Sequence, residues 1–136
     1  MTTLFSRIIA GELPAQFVWT DDTCVAFLSI NPLSEGHTLV VPRLEVDDWL
    51  SVSDDLRQHL FGVAASVGRA IRAAFGAPRV GLIIAGFEVP HLHIHVFGAS
   101  GLGDFDFRQA GAASQDSLVP IASRLRAVLV GDGGRV

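Results

Sequence analysis

Lysine and tyrosine are absent from this sequence, and cysteine occurs once, as Cys24. Without lysine there is no Schiff-base chemistry and no P-loop lysine. A single thiol rules out an internal disulfide and a zinc site built on several thiolates; it fits a reducing compartment. Charge is sparse too: 18% of residues are charged and the net charge is −4, a poor balance for nonspecific nucleic-acid binding. No apolar run is long enough to cross a bilayer, and the first ten residues lack the shape of a secretion signal. The expectation is a cytoplasmic protein that binds neither nucleic acid nor membrane.

The 136 residues, 49% of them hydrophobic, suit one compact domain over 1–136. A short helix is expected at Phe5–Ile9. Phe17–Trp19 and Val25–Leu28 read as strands joined by an Asp- and Thr-rich turn. His37–Val41 reads as a third strand ended by Pro42, Val80–Ala85 as a fourth and His91–Phe97 as a fifth. Between them, Asp54–Phe75 carries apolar residues at three- and four-residue steps, with Ser53 as N-cap and Gly76 after its end. Leu118, Ile121, Ala122, Leu125, Val128 and Leu129 indicate a C-terminal helix within the extension 98–136, and Gly131–Val136 is expected to fray. The order and short connections predict an α+β fold, an antiparallel sheet with packed helices.

Acid–base and nucleophilic groups must then come from His, Asp, Glu, Ser, Thr or Cys24. The segment His91-Leu92-His93-Ile94-His95-Val96-Phe97 concentrates them. On a strand, alternation puts His91, His93 and His95 on one accessible face and Leu92, Ile94 and Val96 against the core. Neighbouring imidazoles disfavour one another's charge, so at least one stays neutral and nucleophilic near pH 7. Three readings are open on these residues alone: solvated surface histidines, a His-x-His metal ligand set, or phosphoryl chemistry.

The same segment resembles the motif of the histidine triad (HIT) family, His-φ-His-φ-His-φ-φ with φ apolar. Phe5-Ser-Arg-Ile-Ile-Ala-Gly-Glu-Leu-Pro14 is similar to the family's opening. Phe27-Leu-Ser-Ile-Asn-Pro-Leu-Ser-Glu-Gly-His-Thr-Leu-Val-Val-Pro42 is similar to its central block. Together they cover residues 4 to 97. The resemblance implies a five-stranded antiparallel sheet continued across a homodimer, and a purine nucleotide or related phosphate compound as ligand. It implies hydrolysis or transfer at the α-phosphorus through a nucleotidyl-histidine, phosphoramidase-like or dinucleoside polyphosphate hydrolase-like. His93 corresponds to the nucleophile, His95 to a phosphate contact, and His91 to an orienting residue with His37 as its hydrogen-bonding partner. Phe5, Ile8, Phe27 and Ile30 fall where the family packs the base. No cofactor and no metal are implied.

Three positions depart from the family pattern. Ser29 stands where an Asp often accepts both ribose hydroxyls, and losing a charged acceptor weakens such binding by roughly 1.5–3 kcal/mol. The loop Ala85-Gly86-Phe87-Glu88-Val89-Pro90 is short, with Glu88 in place of a Ser or Thr, as a general acid, a leaving-group selector or simply an exposed loop residue. Ser6 lies where some members carry a zinc-binding Cys. The alternatives are a nucleotide-binding protein with little turnover and a metal-dependent hydrolase using the triad as ligands. His59, between Arg57 and Leu60, reads as a solvated helix residue.

Overall fold

The computed structural model describes residues 2–130, so the C-terminal end expected to fray lies outside the described residues. The elements follow in the order α1 (Leu4–Ile9), β1 (Phe17–Thr20), β2 (Cys24–Leu28), β3 (Thr38–Pro42), α2 (Asp54–Phe75), β4 (Arg79–Ile83), β5 (Ile94–Ala99), two 3-10 turns (Leu102–Phe105 and Phe107–Gln109) and α3 (Gln115–Leu129). The strands form one sheet in the order β1-β2-β3-β5-β4, every pair antiparallel. The α+β expectation holds, with five strands and three α-helices among the described residues.

Strand alternation divides the apolar residues between two cores. On one face Cys24, Ala26 and Leu28 of β2, Val40 of β3, and Ile94 and Val96 of β5 pack with Leu60, Val63, Val67 and Ile71 of α2 and with Leu118, Ala122 and Leu125 of α3. On the other, Val25, Phe27, Leu39 and Val41 pack under Phe5 and Ile8 of α1. Both β2 and β3 are therefore buried on both faces. Each aliphatic or aromatic side chain so buried contributes roughly 1.5–3 kcal/mol.

Local chemistry sets the joints. Asp21 Oδ1 accepts from the backbone amides of Thr23 and Cys24, both at 2.8 Å, which closes the β1–β2 hairpin as an Asx turn. Its Oδ2 accepts from Trp19 Nε1 at 2.8 Å and lies 2.7 Å from His59 Nε2. His59 is thus tied to the hairpin rather than merely solvated. Helix α2 has the expected caps: the Ser53 side chain accepts from Leu56 N, and Gly76 takes the left-handed conformation, φ 68°. Gly36 needs the same freedom, with φ 92°, and a Cβ there would stand 2.7 Å from the Phe75 ring. That tight turn brings His37 to the start of β3.

Several boundaries differ from the sequence reading, most by one or two residues, and β3 begins at Thr38, so that His37 precedes it. Strand β3 runs through Pro42 instead of stopping before it, and β4 ends at Ile83 instead of Ala85. Strand β5 begins at Ile94, so His91, Leu92 and His93 precede it. The backbone of that stretch is drawn elsewhere: His91 N donates to Val89 O and Leu92 N to Val46 O. After β5, the chain crosses the α1 side of the sheet and returns beside residues 30–32. There Gly111 N donates to Pro32 O and Ala113 N to Ile30 O. Among the described residues no helix is long and apolar enough to cross a membrane.

Candidate active site

On the α1 face a cavity of about 610 Å³ opens between α1, the loop 29–31, the loop 85–89 and the returning chain. Phe5, Ile8, Phe27, Ser29, Ile30, Glu88, His93 and His95 all line it, together with Leu13, Leu39, Phe107 and Gln115. His37 and His91 lie behind this wall, 1% and 0% exposed. The structure thus brings the expected site residues together but grades them by depth. The three triad imidazoles do not share an accessible face, because only His93 and His95 reach the cavity.

The ring nitrogens are assigned by what they meet. His93 Nδ1 lies 2.7 Å from the carbonyl oxygen of His91. A carbonyl only accepts, so Nδ1 carries the hydrogen and Nε2 keeps its lone pair. On the neighbouring ring the order is reversed. Leu33 N donates to His37 Nδ1 at 2.9 Å, which leaves the hydrogen on His37 Nε2. That nitrogen is 3.0 Å from His95 Nδ1 and donates to it, so His95 carries its hydrogen on Nε2. With the His93 and His95 rings 5.0 Å apart, a lone pair and an N–H donor sit side by side at the cavity wall.

Burial keeps these rings uncharged. Desolvation lowers the His37 pKa to about 4. Desolvation, followed by the neighbouring His37 and His93, lowers that of His95 to about 3. For His93, desolvation prevails over the bond to the His91 carbonyl, and its pKa also falls below 6.5, against an opposing pull from Glu88 and Asp47.

His91 is held differently from the expectation. Its Nε2 donates to Pro42 O at 2.8 Å, and its Nδ1 lies 2.6 Å from Thr3 Oγ1. His37 is therefore the partner of His95, not of His91. The register explains the correction: Leu39 pairs with His95 and Val40 with Ile94. His91 is instead held beside Pro42, at the opposite end of β3 from His37. Both His91 nitrogens are engaged at the back of the site, so the triad cannot converge on one ion without breaking these bonds. The one group among the described residues with metal-ligand proximity is elsewhere, Asp21, Cys24 and His59. There Cys24 Sγ lies 3.6 Å from Asp21 Oδ2 as a donor, and burial holds the thiol up, protonated.

Aromatic edges complete the walls. Phe5 meets His93 at 4.9 Å and Phe27 at 5.7 Å, both edge-on. Phe107 covers His95, with ring centroids 4.8 Å apart. Phe107 was not singled out from sequence, since it lies beyond the stretch that resembles the family. Nor was Thr3, whose side chain both caps α1 by accepting from Ser6 N and meets His91. Ser29 is buried and its Oγ accepts from Asn31 N at 3.1 Å, which leaves the hydroxyl one further acceptor direction.

Comparison with known proteins agrees with this geometry. The HIT domain model matches residues 10–101, about two thirds of the chain. The chain belongs to the HIT family. Protein hit of Bacillus subtilis is similar at 33% identity over 106 residues, 74% of this chain and 73% of that protein. Among solved structures, a Hit-like protein from Bartonella henselae superposes with a TM-score of 0.81 at 26% identity, covering 93% of this chain and 96% of that one. A hypothetical histidine triad nucleotide-binding protein from Sulfolobus tokodaii gives 0.80 at 26%, covering 93% and 91%. Helix α1, which supplies Phe5 and Ile8 to this HIT protein's cavity, precedes the matched range.

Proposed function

We propose that this HIT protein binds a purine nucleotide and cleaves it at the α-phosphorus, with His93 Nε2 as the attacking atom. The observation that carries the reading is the opposed pair of tautomers. His93 presents a lone pair because the His91 carbonyl holds its Nδ1 hydrogen, while His95 presents an Nε2–H because His37 donates to its Nδ1. A lone pair next to a fixed donor suits attack on phosphorus, where a negatively charged oxygen must be stabilised as the new bond forms.

The reaction proceeds in two displacements. His93 Nε2 bonds to phosphorus, and the bond to the leaving group breaks with its electron pair going to the departing atom. Water then adds its oxygen to phosphorus, the Nε2–P pair returns to the ring, and the nucleoside monophosphate is released. The similarity to a Sulfolobus tokodaii protein described as nucleotide-binding supports the ligand class. So does the apolar side of the cavity, where Phe5, Ile8, Phe27 and Ile30 offer a surface for a flat base. The homodimer implied by the family would continue the sheet from an edge, and β4 is such an edge, paired only to β5.

One feature favours slow turnover. The cavity-lining stretch Ala85-Gly86-Phe87-Glu88-Val89 has no side-chain hydrogen-bond donor to hold the phosphate or the departing group. The test is release of adenosine monophosphate from an adenosine 5′-phosphoramidate. A folded His93→Ala variant, checked by circular dichroism, is expected to release none above background. Undiminished release by that variant would remove His93 from the nucleophile's role.

A further inference from the structure

We propose that Glu88 selects substrates whose leaving group is positively charged, so that the cavity takes a nucleoside monophosphate joined to an amine-bearing group rather than to further phosphates. The proposal rests on His93 as the nucleophile and adds what departs from the phosphorus.

The cavity is short of positive charge. Of the residues that line it, Glu88 alone is a charged type, and no arginine is among them. The sequence has no lysine to reach in. Two arginines adjoin lining residues along the chain: Arg7, beside Ile8, lies 3.8 Å from Glu12, and Arg108, beside Phe107, is turned to Asp106, with Nη2 to Oδ2 at 2.9 Å and Nε to Oδ1 at 3.0 Å. The two imidazoles at the wall are held neutral by burial. Glu88 itself is exposed and makes no hydrogen bond or ion pair among the described residues. Its charge reaches His93 nonetheless, since Glu88 and Asp47 both pull that imidazole's pKa upward.

Sites that take a polyphosphate surround it with Arg, Lys or a metal ion, because several negative charges in a cavity repel one another and any carboxylate nearby. Here a single phosphate meets the N–H donor of His95, and a second or third phosphate would find no Arg or Lys among the lining residues, and Glu88 as the one charged side chain. An ammonium group attached to the departing atom would find in Glu88 a carboxylate with no competing partner. This recognition needs no proton on Glu88. The chemistry remains the hydrolysis above, in which the P–N bond breaks, the nitrogen keeps the pair and takes a proton from water, and an amine leaves.

The test uses three adenosine 5′-phosphoramidates with N-linked chains of one length, ending in an ammonium, a methyl or a carboxylate group. Expected kcat/KM falls in that order. Because Glu88 is exposed, the ammonium-over-methyl ratio is expected to be about fivefold, the upper range for an exposed ion pair. It should shrink with added salt, approach one in Glu88→Gln and fall below one in Glu88→Arg. A ratio near one in the unmodified protein, or a ratio that survives Glu88→Gln, would overturn the proposal. Turnover of the methyl compound tests His93 separately. If none of the three is cleaved, the nucleophile reading fails, and Kd values of the same compounds by calorimetry decide the role of Glu88 by the same ratios.

Discussion

Lowering the pH from 7 to 5 makes an unfolded chain protonate its imidazoles, while the folded protein resists at His37 and His95. The folded pKa values are about 4 for His37 and about 3 for His95, against about 6.5 when exposed. Between those limits the unfolded state binds more protons, so stability rises with pH and is lost as pH falls. The loss starts near pH 6.5 and continues for His37 to about pH 4, where its folded form begins to titrate. Over the interval from pH 7 to 5, each ring removes about 2 kcal/mol, and the two together about 3–4 kcal/mol. His93 acts in the same direction. Asp21 does not interfere. Burial raises its pKa, but bonds from Trp19, Cys24, Thr23 and His59 outweigh this and hold it well below 3.8, so its contribution is lost only at lower pH. Domains of this size have roughly 5–15 kcal/mol of stability, so the effect is a large fraction of the whole. Urea unfolding at fixed protein concentration, followed by the fluorescence of buried Trp19, measures it. A change under about 1 kcal/mol between pH 7 and 5 would show that these rings are not held neutral by the fold.

Since the attacking His93 must be neutral and its pKa is lowered, the acid limb of kcat/KM is expected below pH 6.5, with a plateau through neutrality; a limb above 6.5 counts against the assignment. Ser29→Asp should strengthen adenosine over deoxyadenosine monophosphate binding by roughly 1.5–3 kcal/mol, and unchanged Kd values would show that no ribose lies there. Gly36→Ala should cost about 1 kcal/mol or more, because φ is 92° and the new Cβ would press on Phe75; an unchanged urea midpoint contradicts that. Light scattering at micromolar concentration should give about twice 14.5 kDa, and the monomer mass would end the dimer expectation.

Much of the fold could be read where local and long-range signals agree. Helix α2 was legible from end to end because its apolar spacing is bracketed by Ser53 and Gly76. The alternating triad misled at its start. His91 and Leu92 keep the apolar rhythm of a strand, yet Leu92 N goes to Val46 rather than to a sheet partner, so alternation persists where the ladder does not. The link between His37 and His95 depends on the β3–β5 register, which the order of residues along the chain does not encode. Phe107 reaches the site through a return path of turns and backbone bonds to residues 30–32, and no periodicity marks such a path.

The tautomers of the imidazole cluster are set by backbone atoms, the His91 carbonyl and the Leu33 amide, rather than by carboxylates. Many catalytic histidines are oriented by a buried anion, which must itself be desolvated and screened. This arrangement avoids that cost, because peptide dipoles are fixed by the fold and carry no net charge. The resting protonation of His37 and His95 should accordingly be almost indifferent to ionic strength, even though binding of a charged substrate is not. The imidazoles rest as a neutral, oriented medium, and the field they are built to answer arrives with the phosphate.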